Sequence, residues 1–217
     1  MKHTKHRTIF TISILFLGLL FTLGCKTSNE DNNFASDFSS SKERNWIGPE
    51  YWSNPLQDWQ IKDGELQCLV SDKNRNIHLL TKKLDSTKGD LTMEVDFKIH
   101  QIIASENNED WIGFSIGSKG EFNDYRDSAI FGKGLNLGIS TNGNLFIDSI
   151  QNNTPNKNIQ DLITKGAVLQ VNISPTEKGN EITLSLKDKN TNETLQKTEK
   201  TLDASYDLSG DLVLVSH

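Results

Sequence analysis

Cysteine, proline and helical periodicity are all scarce in this chain, and each scarcity removes a class of protein. Two cysteines among 217 residues cannot build a disulfide scaffold. No Cys-x-x-Cys pair, His-Glu-x-x-His run or EF-hand loop offers a familiar metal-ligand spacing. Four prolines and 15 glycines exclude collagen-like and low-complexity sequence. No stretch beyond the first 24 residues sustains a 3.6-residue apolar period, so no helix is expected there. Positive charge is short as well. The formal charge is −6, and leaving out residues 1–24, which hold Lys2, Lys5 and Arg7 and no acid, makes it 20 − 29 = −9. An acidic surface of this kind argues against nucleic acid as a partner and against charge-driven binding to anionic lipid.

The first segment that is present is a leader. Residues 1–8 are basic and Ile9 to Leu23 is almost wholly apolar, a charged region followed by a hydrophobic one too short to anchor a cytoplasmic domain. It ends Phe21-Thr-Leu-Gly-Cys25, which resembles the lipobox of bacterial lipoproteins, with Thr22 where that motif usually has Leu. The resemblance implies cleavage after residue 24 and a lipid on Cys25; an ordinary secretory signal is the alternative. Localisation then follows: export across the inner membrane and a lipid anchor in the outer membrane, on its periplasmic or cell-surface face. Residues 25–45 are rich in Ser, Asn, Asp and Glu and read as a disordered polar linker. Within them Asn29-Glu-Asp31 resembles the surface-export tags of Bacteroidetes lipoproteins. Cys68 is left single, as a small buried hydrophobe within a strand.

From Trp46 to His217 the period is two. Asp63-Gly64 between Trp59-Gln-Ile61 and Leu66-Gln-Cys68 predicts a hairpin with a primed turn, to which the later strands are expected to add. Ile77 to Leu80 is a further strand. Leu91, Met93, Val95, Phe97 and Ile99 alternate with polar residues, so one face is buried and the other wet. Trp111 to Gly117, Leu135 to Ile139, Leu145 to Ile147, Val168 to Ile173, Ile182 to Leu186, a strand near Leu195, and Leu212 to Val215 continue the series. Turn signals stand at Asn142-Gly143, Gly179-Asn180 and Asn190 to Asn192. Gln101 to Asp110, Ser118 to Gly134 and Gln151 to Asn158 read as loops. About ten short strands argue an all-β fold, a two-sheet antiparallel sandwich of the concanavalin A-like jelly-roll kind.

No catalytic set stands out. Gly113-Phe-Ser-Ile-Gly117 matches the nucleophile-elbow string, but it lies in a strand with no helix after it, and the elbow needs one. His78 reads as an ordinary sheet residue. Glu106, Glu109, Asp110, Asp124 and Asp127 are solvated loop carboxylates, with a Ca²⁺ between Asp124 and Asp127 as an option. For ligand contact the candidates are Trp46, Trp52, Trp59 and Trp111, whose rings can stack on sugars or anchor the core. The segment Asp124-Tyr-Arg126-Asp127 adds Asp124, Arg126 and Asp127. No residue is assigned as catalytic or as a metal ligand.

A resemblance extends this reading. Trp46-Ile-Gly, Tyr51-Trp52, Leu56-Gln-Asp-Trp59, Asp63-Gly64, Leu66, Cys68 and His78-Leu-Leu-Thr81, with Asp124-Tyr-Arg126, Gly132-Lys-Gly134, Leu137-Gly-Ile139 and Leu214-Val-Ser-His217, resemble the N-terminal region of PhoD-like alkaline phosphatase lipoproteins of Bacteroidetes. Trp59, Asp63-Gly64 and the Leu79 to Lys83 strand also resemble keto-disaccharide hydrolase and laminin-G-like sandwiches. The first resemblance implies a non-catalytic module, 46–217, that positions a downstream metallophosphatase domain of the same protein or touches its substrate. Metal ions then belong to that downstream domain and no cofactor to this chain. The apolar strand running into His217 is read as the leading part of a longer protein. The alternative is a carbohydrate-binding or carbohydrate-hydrolysing surface lipoprotein, so the partners in view are the membrane, a glycan and a phosphate ester.

Overall fold

A computed structural model describes residues 32–70, 72–85, 89–102, 110–151 and 154–217. The leader, Cys25, Asn29-Glu-Asp31, Glu106 and Glu109 lie outside the described residues. Among the described residues no helix is long and apolar enough to cross a membrane. One compact unit runs from Ala35 to His217. Packing therefore begins earlier than the expected boundary at Trp46: Phe38 packs beside Tyr51 on the cluster of Ile47, Trp59, Ile61 and Ile77, and Arg44 pairs with Ile61.

The strands are β1 (Tyr51–Asn54), β2 (Trp59–Lys62), β3 (Glu65–Cys68), β4 (Arg75–Leu84), β5 (Leu91–Phe97), β6 (Trp111–Lys119), β7 (Lys133–Ser140), β8 (Leu145–Ile147), β9 (Ala167–Thr176), β10 (Gly179–Asp188), β11 (Thr194–Asp203) and β12 (Gly210–Ser216). Six of them form one antiparallel sheet in the order β1-β4-β12-β6-β7-β8, and four form another in the order β11-β10-β9-β5. The all-β antiparallel sandwich expected from the alternating pattern is present. Its core joins Phe114, Leu137 and Ile139 of the larger sheet to Leu169, Val171 and Leu184 of the smaller one. In β5 the alternation works as expected: Leu91, Met93 and Val95 pack on this core while Thr92, Glu94 and Asp96 are exposed. A one-residue slip would exchange the two sets, which fixes the register.

Three expectations need correction. The hairpin at Asp63-Gly64 forms, with Trp59 opposite Cys68, but no later strand adds to it. It stays a separate two-stranded sheet and caps a second core of Ile47, Trp59, Ile61 and Ile77. The chain also contains two helices, α1 (Tyr125–Phe131) and α2 (Lys157–Lys165). Asn156 caps α2 by accepting from Ile159 N, and Gly166 ends it at φ 126°. Ile159 and Ile163, one turn apart, drive it into the core. Two turns with three apolar residues are too short to show a sustained period. The strand turn expected at Gly179-Asn180 falls two residues earlier, because β10 already starts at Gly179.

Gly113 and Gly138 face each other across β6 and β7. A Cβ on Gly113 would sit 2.2 Å from Leu137 O, and one on Gly138 would sit 2.3 Å from Ile112 O and 3.0 Å from the Trp111 ring. The glycines let two strands and a tryptophan approach closely.

Candidate functional site

Pleating sends alternate residues of a strand to opposite faces. In β4, Leu79 packs on the main core, so His78 faces outward. Register places Trp52 of β1 and Val213 of β12 directly opposite His78, and Ser115 of β6 opposite Val213. An outward row Trp52–His78–Val213–Ser115 therefore crosses the larger sheet. An exposed row would be solvated, yet His78 is 1% exposed and Val213 2%. Helix α1 contributes to this cover.

Asp124 starts α1 as its N-cap, accepting from Arg126 N at 2.8 Å. The helix is fixed to the sheet by its polar atoms. Asn54 and Asn76 donate from Nδ2 to Ala129 O at 3.3 and 3.1 Å, and Ser128 Oγ donates to Ser118 O at 3.1 Å. Beside it lies a buried carboxylate. His78 Nδ1 is 3.1 Å from Asp211 Oδ2, and Lys83 Nζ donates to Asp211 Oδ1 at 2.9 Å. An ionised carboxylate only accepts, so the proton of this contact belongs to His78 Nδ1. Burial pushes Asp211 upward, but hydrogen bonds from His78, Lys83 and Ser128 outweigh it and hold the carboxyl at about 2.

Next to this cluster is an open recess of about 350 Å³, lined by Leu79, Leu80, Lys83, Asn123, Asp124, Tyr125 and Asp211. Tyr125 packs against Trp52 at 5.2 Å between ring centroids with a 58° tilt. Arg126 lies over the Tyr125 ring at 5.8 Å and binds Asp124 through two nitrogens, at 2.6 Å from Nη2 to Oδ2 and 3.1 Å from Nε to Oδ1. The hydrogen bond from Arg126 holds Asp124 below the usual carboxylate range. A second depression, of about 450 Å³ and lined by Asn144 and residues 154–158, carries no aromatic ring.

The structure thus divides the residues singled out from sequence. Trp52, Asp124 and Arg126 come together at one place. Asp127 is close by in sequence but faces elsewhere, accepting from Phe122 N at 3.0 Å. Asp124 and Asp127 therefore have separate hydrogen-bond partners. Among the described residues no group of three His, Cys, Asp or Glu could hold a metal ion. Trp59 is buried in the hairpin core. Trp111 is buried against Phe146, edge to face at 5.2 Å, and stacks on His217 at 5.8 Å. These two rings are anchors, unable to present a face to a ligand. Neither Trp46, 55% exposed, nor Trp52, 39% exposed, is among the residues lining the recess, but Trp52 packs on Tyr125, which is. Cys68 is half-buried, and desolvation raises its thiol. Ser115, the serine of the elbow string, sits in mid-strand β6 opposite Asn136 rather than at a strand-to-helix turn.

Sequence reasoning missed Lys83, Asn123, Tyr125 and Asp211. Tyr125 carried a usable signal, since it stands between two residues already chosen. Lys83 and Asp211 are 128 residues apart and meet only because β12 inserts between β4 and β6.

Comparison with known proteins adds no relative: no family model, no curated protein and no solved structure matches this chain.

Proposed function

We propose that this protein is a non-catalytic β-sandwich that binds a glycan at the recess beside Trp52. The observation that carries the reading is the Trp52–Tyr125 pair: Tyr125 lines that recess, and Trp52, 39% exposed, packs on Tyr125. Sugar rings have apolar faces that pack on aromatic rings and hydroxyls that need donors and acceptors around the rim. Lys83 and Asn123 supply donors, and Asp124 and the Asn123 carbonyl supply acceptors. Asp211 and His78 hold Lys83 and the sheet face in place. The buried His78–Asp211 pair resembles part of a hydrolytic triad, but with His78 1% exposed it has no route to a substrate.

The anchor through Cys25 and the role as leading module of a PhoD-like phosphatase belong to this proposal too. They draw on the sequence resemblance, and a glycan-holding module suits an enzyme tethered at an envelope surface. Intact mass of the protein from native membranes tests that part: a mass far above 24.4 kDa supports a downstream domain, and one near it removes it. For the site itself, the full chain is screened against immobilised oligosaccharides, followed by titration calorimetry with Trp52→Ala. Loss of about three- to tenfold in affinity is expected for removing one stacking ring. Unchanged affinity would place the ligand elsewhere.

A further inference from the structure

The charges around the recess say more about the ligand than its shape does. We propose that the site takes a neutral saccharide and discriminates against anionic ones, an inference that rests on the glycan-binding reading above.

The recess is lined by one cation, Lys83, and two carboxylates, Asp124 and Asp211, and the neighbouring Arg126 is held by Asp124. Lys83 donates to Asp211, and Arg126 is bound through two nitrogens to Asp124. A carboxylate, sulfate or phosphate on the ligand would face both of these carboxylates with only Lys83 to offset them, and it could have a cation to itself only by drawing Lys83 from Asp211 or Arg126 from Asp124. Drawing Lys83 away is the costlier step. The Asp211 side chain is 3% exposed, and a buried carboxylate that loses a cation cannot be resolvated. Its carboxyl also stays ionised down to about pH 2, so the pairing with Lys83 holds across the physiological range. Drawing Arg126 away exposes a second negative charge, because Asp124 itself lines the recess. The long-range field acts in the same direction, since the chain without residues 1–24 carries −9 (20 − 29).

A neutral polyol asks for none of this. Its hydroxyls can accept from the free N–H bonds of Lys83 and from the Asn123 amide while donating to Asp124, leaving both ion pairs intact. The same logic turns away a phosphate ester, so the phosphate-bearing ligand suggested by the family resemblance is not expected here.

The test uses the full chain and matched probes: neutral gluco-, manno- and galacto-oligosaccharides, and their uronate and sulfated counterparts, titrated in low and high salt. At least one neutral probe is expected to bind, with an affinity that changes by less than about twofold as salt rises, because no net charge is screened. Its anionic counterpart is expected to bind at least about tenfold more weakly. Asp124→Asn sharpens the result, since Asn still caps α1 while Arg126 loses its partner. That variant is expected to gain about tenfold for the uronate probe at low salt and to lose the gain at high salt. Tighter, salt-sensitive binding of the anionic probes by the unaltered chain would overturn the selectivity while leaving glycan binding standing. Binding of no saccharide of either kind would overturn both.

Discussion

The two sheets of this sandwich share one core and differ on their outer faces. On the smaller sheet the outward row Glu94–Gln170–Ser185–Lys197 crosses β5, β9, β10 and β11. Its polar groups bond one another across the strands: Gln170 Nε2 donates to Glu94 Oε2 at 2.7 Å, and Thr92 Oγ1 donates to Asn172 Oδ1 at 2.8 Å. Apart from the buried Ser185 this face is wet, and among the described residues it carries no aromatic ring and no helix. On the larger sheet the row Trp52–His78–Val213–Ser115 is largely covered, and the aromatic pair stands where the cover ends. A solvated face needs only alternation. A covered one needs a polar solution for every group it hides, and that is where specificity can be built.

Substitutions can break or sharpen this contrast. The largest effect is expected from Asp211→Ala, which leaves the buried His78 donor without its acceptor. It should lower unfolding free energy by about 3 kcal/mol in urea titration. Acid should expose the same group. Asp211 has its folded value lowered from 3.8 to about 2, so the unfolded chain binds its proton first. Its contribution is full above pH 4 and is lost as pH falls through 2, an expected decline of about 2 kcal/mol that Asp211→Asn should abolish. Gly138→Ala should cost about 1–3 kcal/mol, because its Cβ would press on Ile112 O and the Trp111 ring. Glu94→Gln, on the wet face, should stay within about 0.5 kcal/mol. A cost there as large as that of Asp211→Ala would erase the distinction between the two faces.

How far the sequence spoke depended on how local each feature is. The alternation of Leu91 to Phe97 and the Asn142-Gly143 turn are local signals, and both appear as expected, Leu137 pairing with Ile147 across the latter. Which hairpin pairs with what is not local. Nothing near Asp63-Gly64 announces that β2 and β3 stand apart, since that is decided by the contacts of Ile61 and Trp59 with Ile77 of β4. The short helices escaped for a different reason. In α1 the buried residues are Ser128 and Ala129, held by hydrogen bonds that leave no apolar stripe to read. The site was half legible. Trp52, Asp124 and Arg126 were singled out by residue type, but four tryptophans of one type met four different environments, and only the fold sorted them. Lys83 and Asp211 had no signal, because a long-range ion pair leaves no spacing in the chain.

Glycan binding at the recess requires that Trp52 present a sugar-binding face. Titration calorimetry of the full chain and of Trp52→Ala with the best neutral oligosaccharide decides it, with Trp46→Ala as the exposed-tryptophan control. Loss of about three- to tenfold in affinity for Trp52→Ala alone is the expected result. Equal affinity in all three proteins, or loss confined to Trp46→Ala, would contradict it.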